Sequence, residues 1–311
     1  MSNSTQFTTI ILAGYIDIGN IKYFYFTLLT VLYVAIIFAN VTLIGLICVE
    51  RTLHEPMYVL LCSLCVNELY GSTAFFPAFL INLLSSTHEI AIAFCYVQIF
   101  SLYTYAAVEY CNLAVMSYDR YVSICYPLQY GNIMTGKNVF ILIVLIWMVS
   151  FVKFTITLSL NLRLQLCGNI LEKVWCDNYL MVKLACSDST VNNIYGIVAL
   201  IPSVIVPVVL ILYSYIKILK VCLRSSKETT QKAMNTCTPH LVSLMNFSLG
   251  CSFEIFQSRF DKVHMPNVLR VVISVYFVIC PPLLNPVMYG IRMSKIRKVL
   301  SKSVYRIRNS R

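Results

Sequence analysis

The chain has 311 residues, 59% of them hydrophobic and 12% charged, where a soluble domain carries roughly 25% charged residues. So little charge cannot cover a water-facing surface, which excludes an ordinary soluble protein and makes lipid the expected solvent. The basic excess, 24 Lys and Arg against 13 Asp and Glu, lies in short loops and in the tail from Arg292 onward. It forms no stripe interleaved with stacking aromatics, which argues against nucleic acid as a partner.

In chain order, the N-terminus "MSNSTQFTTIILAGY" has no positively charged start. No cleavable signal peptide is expected, and the first span directs insertion. A spanning helix needs about 20 mostly apolar residues. Seven segments qualify: 23–49, 57–81, 93–119, 138–159, 193–219, 233–257 and 267–290. The sixth is the weakest, interrupted by Asn246 and several serines. The fold class read from this is an all-α membrane protein, a seven-transmembrane helix bundle followed by a short amphipathic helix. It divides into an extracellular N-terminus (1–22), the membrane domain (23–290) and a cytoplasmic helix and tail (291–311). After Arg292, Ile296, Val299 and Leu300 share one helical face and bases the other, as in a helix lying on an anionic inner leaflet. No cysteine follows Cys280, so a palmitoyl anchor on this segment is not expected.

Loop charges set the orientation. With the N-terminus outside, Arg51, Arg120, Lys137, Lys217, Lys220, Arg224, Lys227, Lys232 and the eight bases of the tail are cytoplasmic. The outer segments hold Lys22, Arg163, Lys173, Lys183, Arg259, Lys262 and Arg270. Sixteen against seven favours this topology. The sequon at Asn3 agrees with it, since glycans are added on the lumenal side. Sequons at Asn40 and Asn246 lie inside spans and should be silent. Cys95, Cys167, Cys176 and Cys186 fall on the outer side, where oxidising conditions permit three pairings. The Cys62/Cys65 pair, on an apolar helix, reads as packing.

Several blocks carry a resemblance. They are "LHEPMYVLLCSLCVNEL" (Leu53–Leu69), "MSYDRYVSICYPLQY" (Met116–Tyr130), "KAMNTCTPHL" (Lys232–Leu241) and "PPLLNPVMYGIR" (Pro281–Arg292). With the cysteine-rich loop Cys167–Ser189, they make the chain resemble the olfactory receptors among the rhodopsin-like G-protein-coupled receptors. The resemblance implies a plasma-membrane receptor of olfactory sensory neurons. Such a receptor binds a small odorant in its outer half and activates a heterotrimeric G protein of the stimulatory, cAMP-raising type. It also implies the disulfides Cys95–Cys176 and Cys167–Cys186.

Cys95 to Arg120 spans about 37 Å of helix, which puts Arg120 at the inner membrane boundary. An Arg facing the bundle there needs a counter-charge, and Asp119 adjoins it. By resemblance, the Asp119–Arg120 pair helps hold the inactive state, and Tyr121 completes the coupling motif. His240 then belongs to the inner gate, and the Asn285-Pro286-Val287-Met288-Tyr289 run is a kinked joint whose Tyr289 swings towards Tyr215. Glu68 and Glu109 fall near the midplane, about 16 Å and 21 Å deep. With Asn40 and Asn285 they are similar to the family's sodium pocket; beyond such a bound ion no cofactor is expected. The other reading is two protonated carboxylic acids sharing hydrogen bonds.

For the ligand, Tyr103, Ala106 and Ala107 on the third span face Cys251, Glu254, Ile255, Arg259 and Tyr276 on the sixth and seventh. Small residues beside aromatics suit a small apolar ligand. Amine receptors of this superfamily place an Asp where this chain has Leu102, so their anchor is missing. Arg259, about 28 Å beyond His240, could hold a carboxylate in a fork or pair with Asp261 or Glu254. Lys153 lies within the fourth span and could snorkel outward. The rivals are a non-olfactory receptor for a peptide or lipid, and a proton-coupled transporter using Glu68 and Glu109. Neither an internal repeat nor an even span number supports the transporter. An enzyme is not expected: His54, His88, His240 and His264 are scattered and no HExxH or GxSxG occurs.

Overall fold

A computed structural model of the chain describes residues 7–15, 18–259 and 267–309. Seven long helices are present: α1 (Ile21–Val49), α2 (Pro56–Leu84), α3 (Ile92–Cys125), α4 (Gly136–Asn161), α5 (Thr190–Cys222), α6 (Lys227–Arg259) and α7 (Asn267–Arg292). An eighth, α8 (Ser294–Asn309), follows directly. Local chemistry explains several starts. Pro56 opens α2, where a missing N–H costs nothing, and the residue before it, Glu55, is extended as a pre-proline residue should be. Thr135 caps α4 by accepting from the Asn138 amide at 3.2 Å. In α5, Pro202 interrupts the regular ladder and residues Ile201–Ile205 widen into a π-helical turn.

Among the described residues, six helices are long and apolar enough to cross a membrane. The exception is α6, whose 33 residues are long enough but too polar. It packs against α7 and α3 instead of offering a wholly apolar surface. The bundle is inside-out relative to a soluble protein. In their apolar windows α2 and α3 are 61% and 56% buried, while α4 and α5 are each only 17% buried. Phe38, Phe140, Leu145, Val209 and Ile216 stand exposed on the outer faces, a surface only hydrocarbon would solvate. At the centre, α3 touches α2, α4, α5 and α6.

One end of the bundle is closed by structure that hydropathy does not announce. Strands β1 (Thr9–Leu12), β2 (Glu89–Ala91) and β3 (Ile170–Leu171) form a sheet in the order β2-β1-β3, antiparallel on one side and parallel on the other. The all-α expectation therefore holds for the bundle and not for its cap. Ile10 and Leu12 bury their side chains in a cluster with Ile90, Ile99 and Leu171. Gly14 lies so close to Lys173 that an added Cβ would sit 2.4 Å from its carbonyl carbon. Disulfides Cys95–Cys176 and Cys167–Cys186 tie the loop after α4 to the start of α3 and to itself.

Three prolines lie inside α7, at 281, 282 and 286. Each removes the N–H owed to the carbonyl four residues earlier. Two of those carbonyls find donors elsewhere. Asn40 of α1 donates to Pro282 O at 2.9 Å, and Tyr105 of α3 lies 3.4 Å from Phe277 O. At the other end, α8 lays Ile296, Val299 and Leu300 onto a cluster with Leu53, Met57 and Tyr289. Its apolar face thus serves the bundle itself. Asn40→Ala should cost about 1–3 kcal/mol, the desolvation of an orphaned buried carbonyl. Thermal unfolding of the detergent-purified protein, with the exposed Thr27→Ala as control, measures this.

Candidate functional site

Three constellations sit along α3, one at each end and one in the middle. At the end opposite the disulfides, Asp119 is fully buried and Arg120 grips it, with Nε 2.9 Å from Asp119 Oδ2 and a second guanidinium bond to the same oxygen. The other carboxylate oxygen accepts from the Tyr130 hydroxyl at 2.8 Å. Burial and the adjacent Asp119 raise the Tyr130 phenol above its ordinary range, so it remains a donor. Tyr121 points away from this pair, stacking edge-on against Tyr126 and Tyr213.

One turn deeper, His240 and Tyr289 meet edge to face with ring centroids 5.5 Å apart. Among the described residues, both ring nitrogens of His240 and the hydroxyls of Tyr215 and Tyr289 are buried with no hydrogen-bond partner within standard geometry. Four unspent polar groups beneath a buried Arg–Asp pair mark a region that has bonds to gain by rearranging. Pro286 lies buried within α7 just before it.

At mid-helix, Glu68 and Glu109 are both buried and touch each other. Asn285 Nδ2 donates to Glu68 Oε1 at 2.5 Å and to Glu109 Oε1 at 3.2 Å. Asn67 Nδ2 donates to Glu109 Oε2 at 2.9 Å, and Tyr105 donates to Glu68 Oε2 at 3.1 Å. The Asn285 Oδ1 accepts from the Ser243 hydroxyl at 2.8 Å. The carboxylates are therefore ringed by hydrogen-bond donors, whereas a sodium ion needs oxygen acceptors. Of the expected sodium set, Asn285 turns its amide nitrogen to both carboxylates, and Asn40 is engaged on the Pro282 carbonyl. The contacts suit two carboxyl groups sharing a proton, since two buried charges without a cation among their partners are costly. Asn67 and Tyr105 complete this knot. Neither stood out in sequence, because a buried amide and a buried phenol look like ordinary packing until their partners are known.

Towards the disulfide end, α3, α4, α5, α6 and the loop after α4 enclose a cavity of about 240 Å³. Tyr103, Ala106, Ala107, Cys251, Glu254 and Ile255 line it, as does Leu102. Tyr276 does not. It hydrogen-bonds Asn246, and its neighbour Phe277 faces the cavity instead; one residue turns a helix by 100°. The side chain of Arg259 lies outside the described residues, as do Asn3 and Asp261. Glu254 pairs with Lys173 of the loop. The cavity also uses Tyr110, Phe154, Trp175, Asp177 and Ser203. The loop residues were legible only as charges and aromatics between cysteines, since no periodicity predicts a loop's path. Lys153 does not snorkel: it donates to Ser203 and lies 4.4 Å from the Phe154 ring centre.

Comparison with known proteins accords with this architecture. The sequence model of a family described as "Olfactory receptor" matches residues 29–306. The chain is 33% identical to human olfactory receptor 11A1 over 297 residues, 95% of this chain and 93% of that one. It is 29% identical to mouse olfactory receptor 4B13 over 309 residues, covering 97% and 98% respectively. The crystal structure of squid rhodopsin matches with a TM-score of 0.74 at 18% identity, over 93% of this chain and 82% of that one, a likeness of fold.

Gly71 lets the Tyr105 ring reach the carboxylates, since an added Cβ would lie 2.5 Å from that ring. Gly71→Ala should therefore displace Tyr105 and destabilise the protein by about 1–3 kcal/mol. Gly45→Ala, with open space around it, should be neutral or mildly stabilising in the same unfolding measurement.

Proposed function

We propose, from the premise that this chain belongs to the olfactory receptor family and is a multi-pass membrane receptor rather than an enzyme, that the cavity binds a small odorant. Binding there drives nucleotide exchange on a heterotrimeric G protein at the opposite end. The observation that carries this reading is the layout of a single helix. α3 supplies Leu102, Tyr103, Ala106 and Ala107 to the cavity wall, Glu109 to the central knot, and Asp119 and Arg120 to the far end. A ligand that shifts α3 or α6 at the cavity acts on the same rigid element that holds the Arg–Asp pair.

In this reading the Asp119–Arg120–Tyr130 contacts hold the resting state, and Arg120 is released into an opening that the G protein fills. Tyr289, His240 and Tyr215, with buried polar groups unspent, gain partners in the active arrangement, and Pro286 provides the joint. Tyr121 and its aromatic neighbours form part of the docking rim. The N-terminus (1–22) is extracellular and glycosylated at Asn3, residues 23–290 form the receptor domain, and 291–311 lie at the cytoplasmic leaflet. The asymmetry of loop charge supports that orientation. The G protein is of the stimulatory, cAMP-raising type, and the setting is the plasma membrane of olfactory sensory neurons.

In cells carrying that G protein, Arg120→Ala should abolish agonist-evoked cAMP at unchanged surface expression. Tyr130→Phe removes one bond to Asp119 and should raise ligand-independent cAMP about twofold to tenfold, matching a hydrogen bond to a charged group weakened by roughly 1 kcal/mol. Unaltered basal and evoked signals in both variants would refute the role of this lock.

A further inference from the structure

The sequence shows an apolar cavity without the usual amine anchor, Leu102 standing in its place. The structure assembles a different acidic feature from a loop and two other helices. Among the described residues, Asp177 and Glu254 are the charged side chains that line the cavity. Their one cation, Lys173, stands behind them with its side chain 1% exposed. Its ammonium bonds Glu254 Oε1 and the Ser258 hydroxyl (2.7 Å), lies 3.6 Å from Asp177 Oδ2, and sits 5.1 Å from the Trp175 ring centre.

Asp177 is fully occupied. Its Oδ1 caps a short helix (Asn178–Lys183) by accepting from the Leu180 amide at 2.9 Å, and its Oδ2 accepts from Tyr103 at 3.2 Å and Ser258 at 3.3 Å. Glu254 is not. The residue is 6% exposed, and its Oε2 is buried with no hydrogen-bond partner among the described residues. The Ser274 hydroxyl beside it gives its proton to Gln257 Oε1 at 3.1 Å. Among the described residues, two carboxylates stand against one lysine in this cluster, and a buried carboxylate short of partners is costly. Lys153 does not offset it: that ammonium is turned onto Phe154 and Ser203 and is not part of the cavity wall.

Resting on the reading of this cavity as the ligand site, we infer that it selects small molecules carrying a primary ammonium group. The ammonium sits against the Glu254 carboxylate where that residue lines the cavity. The alkyl or aryl body lies among Leu102, Ala106, Tyr110 and Phe277. The ligand completes the charge of the Lys173 cluster, and because that cluster joins the loop to α6, its arrival bears on the helix opposite α3. A proton on Glu254 would balance the charge equally well, but a neutral carboxyl would accept alcohols and amines alike.

The test uses the full-length receptor purified into lipid nanodiscs, with thermal unfolding as the readout, so that G-protein coupling does not enter. The probes are matched pentyl to octyl primary amines, alcohols and carboxylates. Amines should raise the unfolding temperature in a saturable manner, and alcohols and carboxylates of the same skeleton should not. Glu254→Gln should raise the half-saturating amine concentration about tenfold to a hundredfold, as loss of a charge-assisted bond requires. Asp177→Asn is the second variant should Glu254→Gln not fold. Stabilisation by alcohols or carboxylates equal to that by amines, or amine binding indifferent to both variants, overturns the inference and leaves the cavity as ligand site. Silence from all three classes, with Ala107→Trp indistinguishable from the unsubstituted protein, overturns that reading and the inference together.

Discussion

Hydrocarbon offers no hydrogen bonds, and that single constraint orders the interior of this protein. Every polar group carried into the bundle must find its partner there. The buried charged side chains are gathered on and around α3, into the Asp119–Arg120–Tyr130 group, the Glu68–Glu109–Asn285 knot and the Lys173–Glu254–Asp177 cluster. Each joins elements distant in sequence, so each specifies how helices sit against one another in a medium where apolar faces alone discriminate little. The apolar residues, free of that demand, turn outward in α1, α4 and α5.

The same constraint accounts for α7. Three prolines in one helix would leave orphaned carbonyls in a low dielectric. Asn40 and Tyr105 answer two of them from neighbouring helices. A joint of this kind is bendable yet partly satisfied, since the donors come from side chains that can follow a movement. It sits directly above the His240–Tyr289 contact, where several polar groups remain unspent. Weak spots and strong ties therefore alternate along the path from the cavity to the Arg–Asp pair, the arrangement a two-state switch needs.

Legibility in sequence followed physical scale. Spans were readable because about 20 apolar residues are needed whatever the tertiary structure. The sixth read as weakest and is the helix whose apolarity falls below a spanning segment's. The depth of Arg120 followed from helical rise alone. Tyr103, Ala106 and Ala107 share the cavity wall because a helix face is a local property, whereas Phe277 and not Tyr276 lines it because rotation about an axis is set by neighbours. The strand Thr9–Leu12 escaped notice, being four residues whose hydrogen bonds are all to distant segments.

What the sequence determined by itself was the solvent, the number of spans, the family and the identity of the buried charges. Hydropathy, spacing and motif are properties of neighbours along the chain. What only the tertiary structure decided was which charges meet. Lys173 was a loop charge until folding set it between Asp177 and Glu254, and Asn40 was one more polar residue until it faced the carbonyl that Pro286 leaves bare. Pairing in a low dielectric depends on distances of a few ångströms between residues as many as 242 positions apart, and no local pattern encodes those distances.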